Sequence, residues 1–302
     1  MKNNIILESN NGRRFKLVVD DNGILGTKEV PAPCRPGYEV KFLVAPDLVL
    51  NSDGSYKEEF KNLFTNFALK GTTRMSYYDT EDLSLNKAGW TIRIRKKSNK
   101  KAQQCTFKKR YPNINKTSVL KQSNVDKALN VALKEGFDTL NVEFKNGCEI
   151  DYGYSKATLS YSYDLDIATT GKGNVDIPNQ ESSIAFITAN APSDLTLPLE
   201  GIREHGAVEL TSYSAMMNNV IEVAIESMTI KAAKNSEELE TIIEVSFKLE
   251  DYAGEIIEGK SDLQLVNELR KTLYNLLHGN GYLLEKDGLK TTAVLERYKL
   301  WV

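Results

Sequence analysis

The stretch Ser76-Tyr77-Tyr78-Asp79-Thr80-Glu81-Asp82-Leu83-Ser84-Leu85-Asn86-Lys87-Ala88-Gly89-Trp90-Thr91-Ile92-Arg93-Ile94-Arg95 says more about the fold than any other part of the 302-residue chain. Its last six residues alternate as a strand does: Ile92 and Ile94 fall on one face, Arg93 and Arg95 on the other. The next strand candidate, Cys105-Thr106-Phe107-Lys108, runs on into Lys109 and Arg110. Between positions 93 and 110 there are nine Lys or Arg and no acid. A solvated hairpin face explains this run. An anion site explains it too, because planar guanidinium forks and lysine point charges suit phosphate oxygens.

Carboxylates follow the same period. Glu39 and Lys41 share a face of Tyr38–Val44, Glu149 and Asp151 flank Ile150, Glu222 and Glu226 alternate with Val223 and Ile225, and Glu244 alternates with Val245. Each strand therefore has one apolar and one charged face. A flat sheet with a wet outer side satisfies that pattern. So does a closed antiparallel barrel, with apolar residues outside under helices and charges inside a water-filled tunnel. Charges of both signs pointing inward are costly without partners. A polyanion bound with a divalent metal would supply both, phosphate for Arg and Lys, and Mg2+ or Mn2+ for carboxylate oxygen.

The rest of the chain reads as strand-rich with a few helices. Strands are expected at Asn4–Leu7, Phe15–Val19, Tyr38–Val44, 74–78, 90–96, 103–110, 140–151, 156–166, 206–213, 219–231 and 240–249. A helix is expected after Ser55, whose spacing to Glu58 suggests a capping box, with Phe60, Leu63, Phe64 and Phe67 on one face. A second is expected over Val125 to about Glu135 with Ser123 as N-cap, and a third over Asp262–His278 behind a Ser261/Gln264 capping box. Residues 168–200 read as loop, and no βαβ rhythm appears. Pro31, Pro33 and Pro36 mark a boundary. The expected organisation is an N-terminal extension over 1–36 and a main domain over 37–302 with a long insertion around 110–200.

Composition sets outer bounds. With 39 Lys+Arg against 41 Asp+Glu the formal net charge is -2, and 41% of residues are hydrophobic. That excludes a disordered chain and argues against a bulk polycationic nucleic-acid or membrane binder. No stretch is apolar enough to span a bilayer as a helix, and the N-terminus lacks the apolar core of a signal peptide. Cys34, Cys105 and Cys148, odd in number and without CxxC spacing, read as buried thiols rather than a disulfide framework or a zinc site. The expectation is a cytoplasmic protein. His205 and His278 have no Ser or Cys elbow nearby and read as structural, and no P-loop or GxGxxG is present.

The Ser76–Arg95 stretch resembles the YYDTxDLxLxxxGxxLRIR signature of CYTH domains, the triphosphate tunnel metalloenzymes. That family includes tripolyphosphatases, thiamine triphosphatases, class IV adenylate cyclases and some RNA triphosphatases. Tyr38–Val44 resembles the family's opening ExExK strand, Thr106-Phe107-Lys108 its TLK strand, Ile243–Lys248 its late acidic strand, and Leu289-Lys290-Thr291 with Glu296-Arg297-Tyr298 its C-terminal motif. The resemblance covers about 38–300. It implies an α+β, β-dominated fold: a closed antiparallel barrel of about eight strands forming a tunnel, with flanking helices.

By resemblance, Arg93, Arg95, Lys108 and Lys290 would clamp a triphosphate beside Lys41, with Arg203 and Arg297 as further phosphate contacts. Glu39, Glu244 and Glu222 would hold Mg2+ or Mn2+, and Glu149 or Asp151 would take a proton from water. Three departures stand out: Gly37 replaces the first glutamate of ExExK, Ser246 stands where a second late acid would be, and 205–213 carries no arginine. The implied activity is metal-dependent hydrolysis of tripolyphosphate or an organic triphosphate. A non-catalytic triphosphate-binding protein and a class IV adenylate cyclase-like enzyme remain as alternatives, and the only nucleic acid admitted as a ligand is an RNA 5′ end.

Overall fold

The computed structural model describes residues 6–8, 14–30, 35–111, 119–137, 147–231, 239–249, 260–288 and 290–299. Strands β1 (Ile6–Glu8), β2 (Arg14–Val19) and β3 (Leu25–Val30) form a small antiparallel sheet of their own. In its second turn the Asp20 carboxylate accepts hydrogen bonds from the Asn22 and Ile24 amides. Nine further strands follow: β4 (Gly37–Val44), β5 (Thr65–Asp79), β6 (Trp90–Lys97), β7 (Ala102–Arg110), β8 (Cys148–Tyr152), β9 (Ala157–Thr169), β10 (Arg203–Met217), β11 (Ile221–Lys231) and β12 (Leu239–Leu249). They close into a barrel in the order β10-β11-β12-β4-β8-β9-β7-β6-β5, with β5 returning to β10.

The count of nine departs from the expected eight, and the barrel is not wholly antiparallel. An odd number of staves cannot alternate direction all the way round, so at least one parallel pair is required. That pair is β4 with β8, where Gly37 lies opposite Glu149 and Glu39 opposite Asp151.

The helices are α1 (Pro46–Val49), α2 (Glu58–Lys61), α3 (Ser84–Lys87), α4 (Gln122–Lys134), α5 (Gln180–Asn190), α6 (Asp262–Gly279) and α7 (Lys290–Lys299). The Ser261/Gln264 capping box of α6 forms as expected. The helix expected after Ser55 does not. Ser55 donates instead to Asp53 at 2.6 Å, and α2 is a single turn with Lys57 as N-cap. Phe60, Phe64 and Phe67 meet around Tyr56, Phe67 arriving from β5, so a turn and a strand satisfy the apolar spacing together. α4 starts behind Lys121 rather than Ser123, and α5 occupies part of the expected loop.

The main core lies outside the barrel, beneath the helices. Val40, Phe42 and Val44 of β4 and Ile92 and Ile94 of β6 are buried there, together with Val266, Leu273 and Leu277 of α6. Each such side chain contributes roughly 1.5–3 kcal/mol relative to exposure. Arg270 of α6 lies over the rings of Phe42 and Tyr152 and donates to the carbonyls of Gly153 and Tyr154. α7 behaves differently. Its Val294 and Leu295 pack on Met75, Tyr77, Val208, Leu210, Met228 and Ile230, a separate cluster formed by lumen-side residues of β5, β10 and β11.

Local chemistry explains the turn between β5 and β6. The buried Asp79 carboxylate accepts from the amides of Thr80 (2.7 Å), Leu85 (3.0 Å) and Asn86 (2.9 Å), which seats α3. His205, also buried, has Nε2 2.9 Å from the Thr80 carbonyl, as its structural reading anticipated. Gly89 has φ +83, and a Cβ there would sit 2.4 Å from the Arg110 carbonyl oxygen. Lys96, fully buried, has its Nζ ringed by the carbonyls of Lys97, Lys100, Gly171 and Asn174 at 2.7–3.0 Å, among which its three N–H groups are shared, tying the β6–β7 turn to the loop after β9. Cys105 and Cys148 are buried, and burial pushes the Cys105 thiol up to about 12; Cys34 lies outside the described residues. Among the described residues no helix is long and apolar enough to cross a membrane.

Replacing Asp79 with Ala leaves three amides of this turn without their acceptor. The expected cost is about 2 kcal/mol of unfolding free energy, measured by urea denaturation with unchanged far-UV dichroism.

Candidate anion and metal site in the barrel lumen

Strand alternation delivers charges from seven staves into one cavity of about 770 Å³. β4 contributes Glu39 and Lys41, β6 Arg93, Arg95 and Lys97, and β7 Lys108 and Arg110. Glu149 comes from β8, Asp164 from β9, Glu226 from β11, and Glu244 with Lys248 from β12. α7 supplies Lys290, so one clamp residue arrives on a helix rather than a strand. The lining holds nine cationic side chains against five carboxylates.

One side of the lumen is densely paired. Lys41 Nζ lies 2.7 Å from Glu39 and 2.8 Å from Asp151. Lys108 lies 3.3 Å from Asp151 and 3.5 Å from Glu149, and Lys248 bonds Glu149 at 2.6 Å. Lys290 bridges Glu226 and Glu244, the latter at 2.9 Å. Burial pushes the Glu39 carboxyl up, but Lys41 and Lys248 outweigh it and hold it at about 2. Asp151 is likewise buried, yet Lys108, Lys41 and Arg110 hold it well below the usual carboxylate range. Burial works against the Lys290 ammonium too, and Glu244 and Glu226 reverse that and raise it. Lys108 goes the other way: burial lowers it, Asp151 opposes, and Arg110 and Lys41 add to the lowering.

The β6 side is under-compensated. Nε of Arg93 is buried with no hydrogen-bond partner. Arg95 is held by Gln104, with Asp164 at 3.9 Å, and its neighbour Arg93 followed by burial lowers it to about 10. Lys97, third in the row, is brought down to about 8 by burial and then by Arg95.

The expected site residues divide accordingly. Glu39, Lys41, Arg93, Arg95, Lys108, Glu149, Glu244 and Lys290 line this cavity, and Asp151 sits directly behind Lys41 and Lys108. Three lie elsewhere. Glu222 shares a strand face with Glu226 but stands near the β10–β11 hairpin, where it pairs with exposed Lys70. Arg203 opens β10 and faces Glu81 at 3.5 Å. Arg297 is bonded to Glu240 in an adjoining cavity. Glu226, Lys97, Arg110, Asp164 and Lys248 went unassigned from sequence. Lys97, Arg110 and Lys248 continue the alternation of Arg93/Arg95, Lys108 and Glu244, which was the available signal.

A divalent metal, implied by the CYTH resemblance, finds a fitting donor set. Oxygens of Glu39, Glu149 and Asp151 all lie within 4.8 Å of one another, and Asp151 Oδ2 is buried without a hydrogen-bond partner. An all-carboxylate set suits Mg2+ or Mn2+. The β4–β8 register accounts for the missing first glutamate: Glu149 stands directly beside Gly37 on the neighbouring strand. Glu244 is outside this set and bonded to Lys290.

Neither a protein-family model nor a curated protein matches the sequence. Among solved structures, the chain is similar to a Hippeastrum protein proposed as an adenylyl cyclase and described as having a dominant triphosphatase activity. That match has 11% identity, covers 85% of this chain and 94% of that one, and has a TM-score of 0.43. A proposed adenylate cyclase from Bacillus halodurans matches at 14% identity, 86% and 97% coverage and a TM-score of 0.42. A protein from Pyrococcus horikoshii matches at 12% identity, 83% and 95% coverage and a TM-score of 0.40. With Trp90–Arg95 as a stave, the Asp79 turn beside it and a charged lumen within a closed barrel, the chain has the fold that the CYTH signature implies.

Proposed function

We propose that this protein binds a triphosphate in the barrel lumen and hydrolyses it with a divalent metal. The observation that carries the reading is the unequal charge of the lumen: nine cations line it against five carboxylates, and the β6 row of Arg93, Arg95 and Lys97 is its least compensated part, Arg95 reaching Asp164 only at 3.9 Å. Desolvated cations of this kind call for an anionic partner. A triphosphate, with several charges on a short chain, matches both the sign and the spacing of such a wall.

Phosphoryl transfer asks a protein chiefly for positioning and charge stabilisation. Arg93 and Arg95 hold the terminal phosphoryl oxygens, while Lys108 and Lys290 neutralise the bridging end. Glu39 and Asp151 would hold the metal, which when bound would polarise phosphate oxygens and acidify water, and Glu149, third of that carboxylate group, is left as the proton acceptor. Asp151, kept strongly acidic by three cations, is a poor base. Glu149, on the same strand but open to the lumen, accepts the proton of the attacking water as the terminal P–O bridge breaks and diphosphate leaves.

Binding without turnover is the second reading. It is favoured by Lys41 and Lys248, whose ammonium groups already occupy carboxylate oxygens that a metal would need. Phosphate release from tripolyphosphate and nucleoside triphosphates, with Mg2+ or Mn2+, separates the two. Hydrolysis supports the enzyme; heat stabilisation by these ligands with no release supports the binder.

Arg93→Ala removes a cation that makes no ion pair among the described residues, so the melting temperature should hold while triphosphate affinity or turnover falls about 100-fold. Deprotonation of Lys97 removes a positive charge as pH rises through about 8. Wild-type triphosphate affinity should therefore decline above pH 8, whereas Lys97→Met should bind more weakly at pH 7 and show a flat profile over that range by calorimetry.

A further inference from the structure

We infer that Lys41 and Lys248 keep the lumen carboxylates closed to a divalent metal until a polyphosphate draws the two ammonium groups away, so that the anion is taken first. The inference rests on the triphosphate reading above and deepens it by assigning an order to the two ligands.

Its ground is a surplus of positive charge around the donor set itself. Glu39, Glu149 and Asp151 bring carboxylate oxygens within 4.8 Å of one another. Four cations already pair with these three acids. Lys41 lies 2.7 Å from Glu39 and 2.8 Å from Asp151, and Lys248 lies 2.6 Å from Glu149 and 3.8 Å from Glu39. Lys108 reaches Asp151 at 3.3 Å and Glu149 at 3.5 Å, and Arg110 reaches Asp151 at 3.6 Å. The group is therefore net positive before any ion arrives. A lone dication would meet repulsion from all four, and would have to displace the two lysines that hydrogen-bond the carboxylate oxygens. A polyanion meets the opposite balance, because nine cations line the cavity against five carboxylates.

The two lysines are suited to exchange partners, each carrying a compact ammonium on a flexible four-carbon stem. Both line the same cavity as the β6 row, so a phosphate chain held by Arg93 and Arg95 offers them new oxygens across the lumen. In turning to it, Lys41 frees oxygens of Glu39 and Asp151, and Lys248 frees Glu149. The acids then have the open oxygens and negative charge that Mg2+ or Mn2+ requires, and Glu149 recovers its capacity to accept a proton. Asp151 Oδ2, buried without a hydrogen-bond partner, is one such oxygen already in place. The β12 sequence builds the block in: Glu244, Ser246 and Lys248 share one strand face, and the last of them is a cation bonded to Glu149. By linkage, whatever the anion adds to metal affinity the metal adds to anion affinity.

The test measures Mn2+ binding to the full chain by loss of the free-ion paramagnetic resonance signal. It measures tripolyphosphate binding by heat stabilisation, in EDTA and again with Mn2+. Wild type without anion should bind Mn2+ no tighter than about 0.1 mM, yet tripolyphosphate should stabilise it in EDTA. Lys41→Met and Lys248→Met should each bind Mn2+ about tenfold tighter than wild type with no anion present. Lys248 is half exposed, so its variant carries the comparison should Lys41→Met fail to fold. Adding Glu39→Gln to Lys248→Met should remove the gain. The inference is overturned, with the triphosphate reading intact, by any of three results: wild type alone binds Mn2+ more tightly than that, the Lys248 variant shows no gain or keeps it beside Glu39→Gln, or tripolyphosphate stabilises only when Mn2+ is present. If tripolyphosphate stabilises under neither condition, the triphosphate reading itself falls and takes the inference with it.

Discussion

A closed barrel obliges every second side chain of every stave to point into the lumen. In this chain many of those positions are charged, so outside the small apolar cluster under α7 the interior is held by electrostatic compensation. Lys41 between Glu39 and Asp151, and Lys290 between Glu226 and Glu244, offset a desolvation cost that neither sign could bear alone. The compensation is lopsided. Staves β4, β8 and β12 carry most of the lumen acids, whereas β6 turns three cations and no acid inward, which gives the lumen a neutralised wall facing an electropositive one.

The outside follows from the same alternation. Apolar positions displaced from the lumen need cover, and α6 provides it on β4, with Val266, Leu273 and Leu277 against Phe42 and its neighbours. α7 alone addresses the other face. Because it packs Val294 and Leu295 against lumen-side residues, it can place Lys290 among the acids of β11 and β12. The position of Lys290 thus depends on a small apolar cluster rather than on a strand register.

Much of this arrangement was legible where the period of two runs undisturbed. Tyr38–Val44 and Trp90–Arg95 declared both their structure and their inward residues, and Ser261 with Gln264 declared the start of α6. Alternation gives a face but not a depth, so Glu222 and Glu226, on the same side of the same strand, read alike in the sequence, and Arg203 reads as a lumen residue. Phe60, Leu63, Phe64 and Phe67 mimic a helix, although Phe60 and Phe67 reach Tyr56 from a turn and a strand and Phe64 packs on Phe60. α5, Gln180–Asn190, lacks an apolar stripe of helical period. The parallel β4–β8 pair depends on how the ring closes, a property no local window contains. It is also what sets Glu149 beside Gly37, so a carboxylate missing from one strand is supplied by its neighbour.

Ring closure has a bearing on how the chain reaches this state. The seam between β4 and β12 joins Val44 to Ile243, and that between β5 and β10 joins Asp79 to Arg203, so the lumen exists only after distant parts of the chain have met. Loop-closure entropy opposes such contacts until they form, and topologies dominated by them fold slowly. Before the seams join, the charged faces are simply hydrated edges of an open sheet, and the repulsion along Arg93, Arg95 and Lys97 is screened by water. The field that would attract an anion is therefore created in the last step of assembly, by the exclusion of solvent as the ring shuts.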